Sequence, residues 1–294
     1  MDVSLKEQER SVRTLIVSDV HLGFRFAQAE HFLTYLNGIR PEQLFILGDF
    51  LDGWQLCTRW RWKPVYSHII DRLFELGERG TELYYTPGNH DQFLRYPEVV
   101  RLLSKSGICV NVRDEFVFET QTGRRFLVLH GDRFDVVETS HQWLSVALTR
   151  VYEPMMFLNA WFSRLTGRTG SPYSACAWIK HKTKTAVRFF SDFEDRLFRY
   201  VRSRRCEGVI CGHIHAPGVT SSASATYINT GDWVEHCTAL VEHHDGELVL
   251  ESFFADRAPQ RCRPTRAIVA ERIAEPEVPE VCVPIFAEDA ARLA

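Results

Sequence analysis

No stretch of the chain approaches the ~20 consecutive apolar residues that a membrane-spanning helix requires. The segment Met1 to Arg13 is polar and charged and lacks the apolar run of a secretory leader. The expected setting is therefore the cytoplasm, or at most the inner face of the cytoplasmic membrane. Nor is there a C-x-x-C pair among the eight cysteines (57, 109, 176, 206, 211, 237, 262 and 282). Scattered in this way, several within apolar runs, they read as small buried hydrophobes in a reducing compartment rather than a disulfide framework. A surplus of positive charge is missing too. The formal net charge of -3 argues against a general nucleic-acid binder. Internal repeats are absent. What remains is an ordinary globular composition, and 294 residues suffice for one large domain or two small ones with ample core.

From Arg13 to Asp132 strand and helix patterns alternate. Strands are expected at Thr14 to Val17, Leu44 to Leu47 and Leu83 to Tyr85, and helices at Ala27 to Leu36, Tyr66 to Glu78 and Glu98 to Ser104. Consecutive strands follow at Cys109-Val110, Glu115 to Phe118 and Phe126 to Leu129. This order predicts an α/β sandwich with mixed sheets. Between Phe134 and Arg205 helical periodicity takes over, with candidate helices at Val137 to Val151, Pro154 to Ser163, Ala175 to Phe190 and Asp192 to Arg205. Strands resume at Val209 to Cys211, Thr226 to Ile228, Ala239 to Val241 and Leu248 to Leu250. Residues 1–255 thus read as one domain, with 134–205 a helical insertion placed to overhang its site as a cap. Residues 256–294 carry five prolines among mixed charges and read as an extended tail.

Five short segments, far apart, each follow a strand-like run and carry metal-binding side chains. They are Ser18-Asp19-Val20-His21, Gly48-Asp49-Phe50-Leu51-Asp52, Gly88-Asn89-His90-Asp91, His130-Gly131-Asp132 and Gly212-His213-Ile214-His215. Asp19 and His21 are two apart at a strand end, so both point to one side, and His213 and His215 repeat the pattern. Asp49 has oxygens enough to bridge two cations, Asn89 offers a neutral carbonyl oxygen, and His130 another imidazole. Glycines beside these ligands, Gly48, Gly88 and Gly212 among them, permit tight turns. Ligands of this hardness and number suit two divalent cations, and two metals in a cleft point to hydrolysis of a phosphate ester or anhydride. Mixed nitrogen and oxygen donors favour Mn²⁺, with Fe²⁺ or Zn²⁺ the alternatives.

The order D-x-H, G-D-x-x-D, G-N-H-D, H and G-H-x-H resembles that of the calcineurin-like metallophosphoesterases, from Thr14 to about His244. The resemblance implies a four-layer αββα sandwich with mixed sheets and an inserted helical cap. It assigns Asp19, His21, Asp49 and His215 to one metal, and Asp49, Asn89, His130 and His213 to the other. It makes His90 the acid that protonates the leaving oxygen, with Asp52 orienting that imidazole.

Within the family, His21-Leu22-Gly23, Gly53-Trp54, Ser191 to Glu194 and Gly231 to Glu235 look most like the UDP-2,3-diacylglucosamine pyrophosphohydrolase group of lipid A synthesis. That group would release UMP and lipid X from its substrate. One departure stands out, since His90 occupies a position where the best-understood lipid A enzymes carry Arg. The insertion holds 12 Lys and Arg against 6 Asp and Glu, a net +6 that leaves the rest of the chain at -9. Lys180, Lys184 and Arg188 recur every four residues and are expected to form a basic face for a pyrophosphate or anionic headgroup. The apolar run Pro154 to Phe162 suits an acyl chain or a membrane surface, or simply a packed core. His141, His181 and the His243-His244 pair read as surface or packing residues. The expected partner is a nucleotide- or lipid-linked phosphate, with no specific nucleic acid. A general phosphodiesterase or phosphatase of soluble nucleotides and a non-catalytic binding scaffold are the alternatives.

Overall fold

Strand β1 (Arg10–Val17) is buried on both faces over its last four residues, Thr14 to Val17, because it lies in the middle of a sheet covered on both sides. In the computed structural model, which describes residues 9–105, 110–135, 184–222, 225–254 and 258–262, the chain runs from β1 through α1 (Ala29–Asn37) to β2 (Ile39–Leu47). There follow α2 (Gly53–Thr58), α3 (Pro64–Glu78), β3 (Glu82–Thr86), α4 (Pro97–Ser104) and strands β4 (Val110–Val112), β5 (Glu115–Glu119) and β6 (Arg125–Leu129). Helix α5 (Lys184–Ser203) precedes β7 (Gly208–Cys211), β8 (Gly218–Ser221), β9 (Thr226–Asn229), β10 (Thr238–Glu242), β11 (Leu248–Ser252) and β12 (Gln260–Arg261).

Two sheets result. One has the order β12-β11-β10-β1-β2-β3-β4 and the other β5-β6-β7-β9-β8. Both are mixed: β1 to β4 pair in parallel, as do β6, β7 and β9, while the remaining pairs are antiparallel. The period of two along β2 sorts its side chains between layers. Leu44 and Ile46 join the cluster beneath α1 and α3, built around Phe32, Leu36, Ile69 and Leu73. Phe45 and Leu47 face the other way, into the core between the sheets, with Ile16, Phe126, Val128, Ile210 and Leu240. A third cluster packs Phe193, Leu197 and Val201 of α5 against Leu127, Val209 and Cys211 on the outer face of the second sheet. The fold is the four-layer αββα sandwich that the resemblance implied.

The parallel register is what builds a site. Val17 pairs with Ile46, and Ile46 with Tyr85, so the turns carrying Asp19, Asp49 and Asn89 leave neighbouring strands at the same edge. Val128 pairs with Ile210, which brings the turns of His130 and His213 together in the second sheet. Ligands beyond the carboxyl ends of parallel strands are the usual arrangement in α/β sheets.

Several expectations need correction. Helix α5 runs unbroken through Ser191, where the sequence suggested one helix ending and another beginning. A serine inside a helix costs only a few tenths of a kcal/mol, and the buried i, i+4, i+8 stripe from Phe193 outweighs it. Helix α2 was not anticipated, being short and held by its N-cap, the Asp52 carboxylate accepting from Gln55 N at 3.0 Å. Strands β8 and β12 were also missed, and Cys57 is exposed where burial was expected. The candidate helices at 137–151 and 154–163, most of 175–190, Cys109, Lys180 and nearly all of the tail lie outside the described residues. No helix among the described residues is long and apolar enough to cross a membrane.

Phe126 is fully buried between the sheets. Phe126→Ala should lower unfolding free energy by about 3–5 kcal/mol, measured by chemical denaturation. A loss below about 1 kcal/mol would place the inter-sheet core elsewhere.

Candidate metal centre

Five non-glycine residues at the site hold a left-handed backbone: Asp19 (φ 53°), His21 (52°), Asp49 (50°), His213 (63°) and His215 (53°). Such conformations cost on the order of 1–3 kcal/mol each and persist only where surrounding structure fixes them. Here the loops fix one another. Asp19 N donates to Gly48 O at 3.1 Å, His21 N to Asp49 O at 2.8 Å, and Asp52 N to Leu22 O at 2.9 Å. Gly212 N donates to His130 O at 3.1 Å, and Trp233 N to Asp19 O at 3.0 Å. Close approach then dictates two glycines. A Cβ on Gly88 would overlap Asp49 Oδ1 and stand 2.8 Å from His130 Nε2, and one on Gly212 would overlap Asp19 Oδ2.

The side chains converge on two fully buried carboxylates. His215 Nε2 lies 3.1 Å from Asp19 Oδ1 and 3.3 Å from His21 Nε2. His130 Nε2 lies 3.5 Å from Asp49 Oδ2 and 3.3 Å from Asn89 Oδ1. Three groups have ligand atoms mutually within 4.8 Å: Asp19, His21 and His215; His21, Asp49 and His90; and Asp19, Asp49 and His130. The contact of His130 Nδ1 with Leu47 O at 2.7 Å makes Nδ1 the donor and leaves Nε2 facing the carboxylates. His213 is held nearby, its ring centroid 5.2 Å from that of His130, but its Nε2 meets Asp135 Oδ2 at 3.0 Å. Asp135 was not singled out in the sequence.

The protonation pattern shows how well the donor set fits divalent cations. Burial pushes the Asp49 carboxyl up, yet His130 and His90 beside it hold it well below the usual range. Burial would strip His21 of its proton, but Asp52, Asp49 and Asp19 raise its pKa to about 9. His130 is likewise raised well above an ordinary histidine, against burial, by Asp49 and Asp19. The pocket demands positive charge beside its carboxylates, and imidazole protons meet that demand wherever no cation does. Divalent ions would satisfy it directly, displacing those protons.

His90 sits at the rim. Its Nδ1 is 3.1 Å from Asp52 Oδ1, its backbone N donates to Asp49 Oδ1 at 2.8 Å, and its Nε2 is 3.9 Å from Asp49 Oδ2. Trp54 stacks on its ring, centroids 4.0 Å apart. Trp54 entered the sequence reading only as part of a resemblance. Asp91, the last letter of Gly-Asn-His-Asp, proves structural: fully buried, it accepts from Phe50 N at 2.8 Å, Gly88 N at 2.6 Å and the Tyr85 hydroxyl. It staples the second loop to the third. Its presence in the motif was the only signal. Lys184 and Arg188 fall in the first turns of α5, and their side chains lie outside the described part of the structure.

The model of the calcineurin-like phosphoesterase family matches residues 12–217. Curated relatives include the UDP-2,3-diacylglucosamine hydrolase of Aeromonas hydrophila, 24% identical over 78% of this chain and 93% of the relative. The enzyme of that name from Pectobacterium carotovorum is 25% identical over 70% of this chain and 83% of its own length. Among solved structures, Vps29 of Entamoeba histolytica with Zn²⁺ aligns over 85% of this chain and 97% of that one, at 15% identity. Its TM-score of 0.41 is too slight a likeness to carry weight.

Gly88→Ala should cost about 1–3 kcal/mol of stability through overpacking and weaken binding of divalent ions, read by denaturation and by titration with Mn²⁺. Unchanged stability together with unchanged affinity would contradict the packing described around Asp49.

Proposed function

Because this chain belongs to the calcineurin-like phosphoesterase family, a group of metal-dependent hydrolases, we propose that its strand-edge cluster holds two divalent ions and cleaves a pyrophosphate within UDP-2,3-diacylglucosamine or a closely related nucleotide-linked lipid. The observation that carries the two-ion reading is Asp49. Its carboxylate belongs to two of the three ligand groups, facing His21 and His90 in one and Asp19 and His130 in the other.

Asp19, His21, Asp49 and His215 would hold one ion, and Asp49, Asn89, His130 and His213 the other. Such ions supply Lewis acidity, a water of lowered pKa and a clamp on the phosphoryl oxygens. The chain's own residues do the rest. The strained turns hold the ligand atoms in place before substrate arrives, so no reorganisation is needed during reaction. Asp52 accepts from His90 Nδ1, which presents the opposite nitrogen, Nε2, toward the cluster and the leaving oxygen. His90 delivers its proton from that atom as the bond to phosphorus breaks.

The substrate assignment rests on the relatives' activity and on their coverage of most of this chain. Mn²⁺ as the working ion, contact of residues 134–205 with acyl chains or a membrane surface, Lys180, Lys184 and Arg188 as headgroup ligands, and a site of action at the inner face of the cytoplasmic membrane complete the same proposal. His90 itself favours one competing reading. A histidine there suits simple phosphodiesters and phosphomonoesters, so soluble nucleotides are the alternative substrates.

Incubated with Mn²⁺ and UDP-2,3-diacylglucosamine, the wild-type protein should release UMP, and Asp49→Ala should not. Cleavage of a soluble phosphodiester without UMP release would keep the chemistry and discard the lipid substrate. His90→Ala should keep its metal and lose about 10²–10⁴-fold in turnover, the range of general acid catalysis. Loss of metal from that variant would make His90 a ligand.

A further inference from the structure

His90 is the one imidazole of the site whose geometry leaves two outcomes open. Its ring nitrogen already lies within 4.8 Å of ligand atoms of His21 and Asp49, near enough for the imidazole to serve either as a metal ligand or as an acid. Proton delivery requires a ring held at the rim with Nε2 directed at the leaving oxygen. Asp52 alone cannot settle this. A single hydrogen bond at Nδ1 fixes one edge of the ring but leaves it free to pivot about that bond.

The face of the ring is fixed by Trp54. The indole is stacked closely on the imidazole, with centroids 4.0 Å apart and planes 29° from parallel. From a different side, the His21 ring approaches almost edge-on, at 4.7 Å and 86°. Trp54 is well placed to resist motion, because it occupies the first turn of α2, whose N-cap is Asp52 itself. Gly53 N donates to His90 O at 3.1 Å, tying that turn to the histidine's own backbone. Three consecutive residues thus hold His90 by its Nδ1, its main chain and its ring face. A helix of only six residues with no buried side chain contributes little to the core, and this is the function its position suggests.

We infer that Trp54 is a positioning residue that holds the His90 imidazole against Asp52 at the rim of the metal site, with its Nε2 in line with the leaving oxygen. The inference rests on the proposed acid role of His90. Its expression should depend on how much the leaving group needs a proton. An alkyl or sugar-phosphate leaving group requires protonation, whereas an activated aryl oxide departs without it.

The test uses the full-length, Mn²⁺-loaded protein with two phosphodiesters, one with a nitrophenyl and one with an alkyl leaving group. Trp54→Ala should lower kcat on the alkyl diester about 10- to 100-fold, part of what general acid catalysis supplies. KM, metal content and turnover of the nitrophenyl diester should stay within about twofold of wild type, and Trp54→Phe should recover most of the loss. His90→Ala should show the same bias more deeply, and adding Trp54→Ala to it should cost nothing further. Equal loss on both diesters, or a rise in KM alone, would overturn the inference while leaving the acid role intact. Absence of bias in His90→Ala would overturn both.

Discussion

Two buried carboxylates, Asp19 and Asp49, face one another's surroundings at the edge where two sheets meet. Buried anions are tolerable only with cations or donors around them, and each unpaired one would cost several kcal/mol. Four histidines, His21, His90, His130 and His215, stand within 4 Å of one or the other. Much else in the molecule follows from holding this charge cluster in register. Parallel pairing of β1 with β2 and of β6 with β7 delivers the turns to one edge, and left-handed backbone at five positions aims their side chains inward.

The strain is balanced by residues that never touch the centre of the cluster. Asp91 binds the Asp49 loop to the Asn89 loop through main-chain donors. On the other flank, Asp232 accepts from Val234 N at 2.7 Å and from His236 Nδ1 at 2.5 Å, and so braces the segment that carries Trp233. Trp233 in turn donates its backbone N–H to the Asp19 carbonyl. Ser18 Oγ, beside Asp19, reaches Gly231 O at 2.9 Å. A site built for charge therefore rests on surrounding polar groups, Asp91, Asp232 and Ser18 among them, that are themselves hydrogen-bonded.

Much of this was legible in the sequence, for identifiable reasons. Strands such as Thr14 to Val17 and Phe126 to Leu129 are continuous apolar runs because both faces are covered, and they announce themselves. The ligand motifs are legible because their chemistry tolerates few substitutes. What escaped notice depends on contacts across the chain. Asp135 lies next to His213 across a sequence separation of 78 positions. Trp54 is one of seven tryptophans, and nothing in its neighbours reveals that it lies against a histidine from another loop. Helix α2 has no apolar stripe to betray it, and the apparent break at Ser191 dissolves because packing on β6 and β7 outweighs a local preference.

Crystals grown with Mn²⁺ and measured for anomalous scattering would test the central claim most directly. Two peaks ~3.5–4 Å apart, both in contact with the Asp49 carboxylate, are expected of a two-metal hydrolytic centre. A single peak, or a second one with Asp49 bound to only the first, would contradict the shared carboxylate on which the account stands.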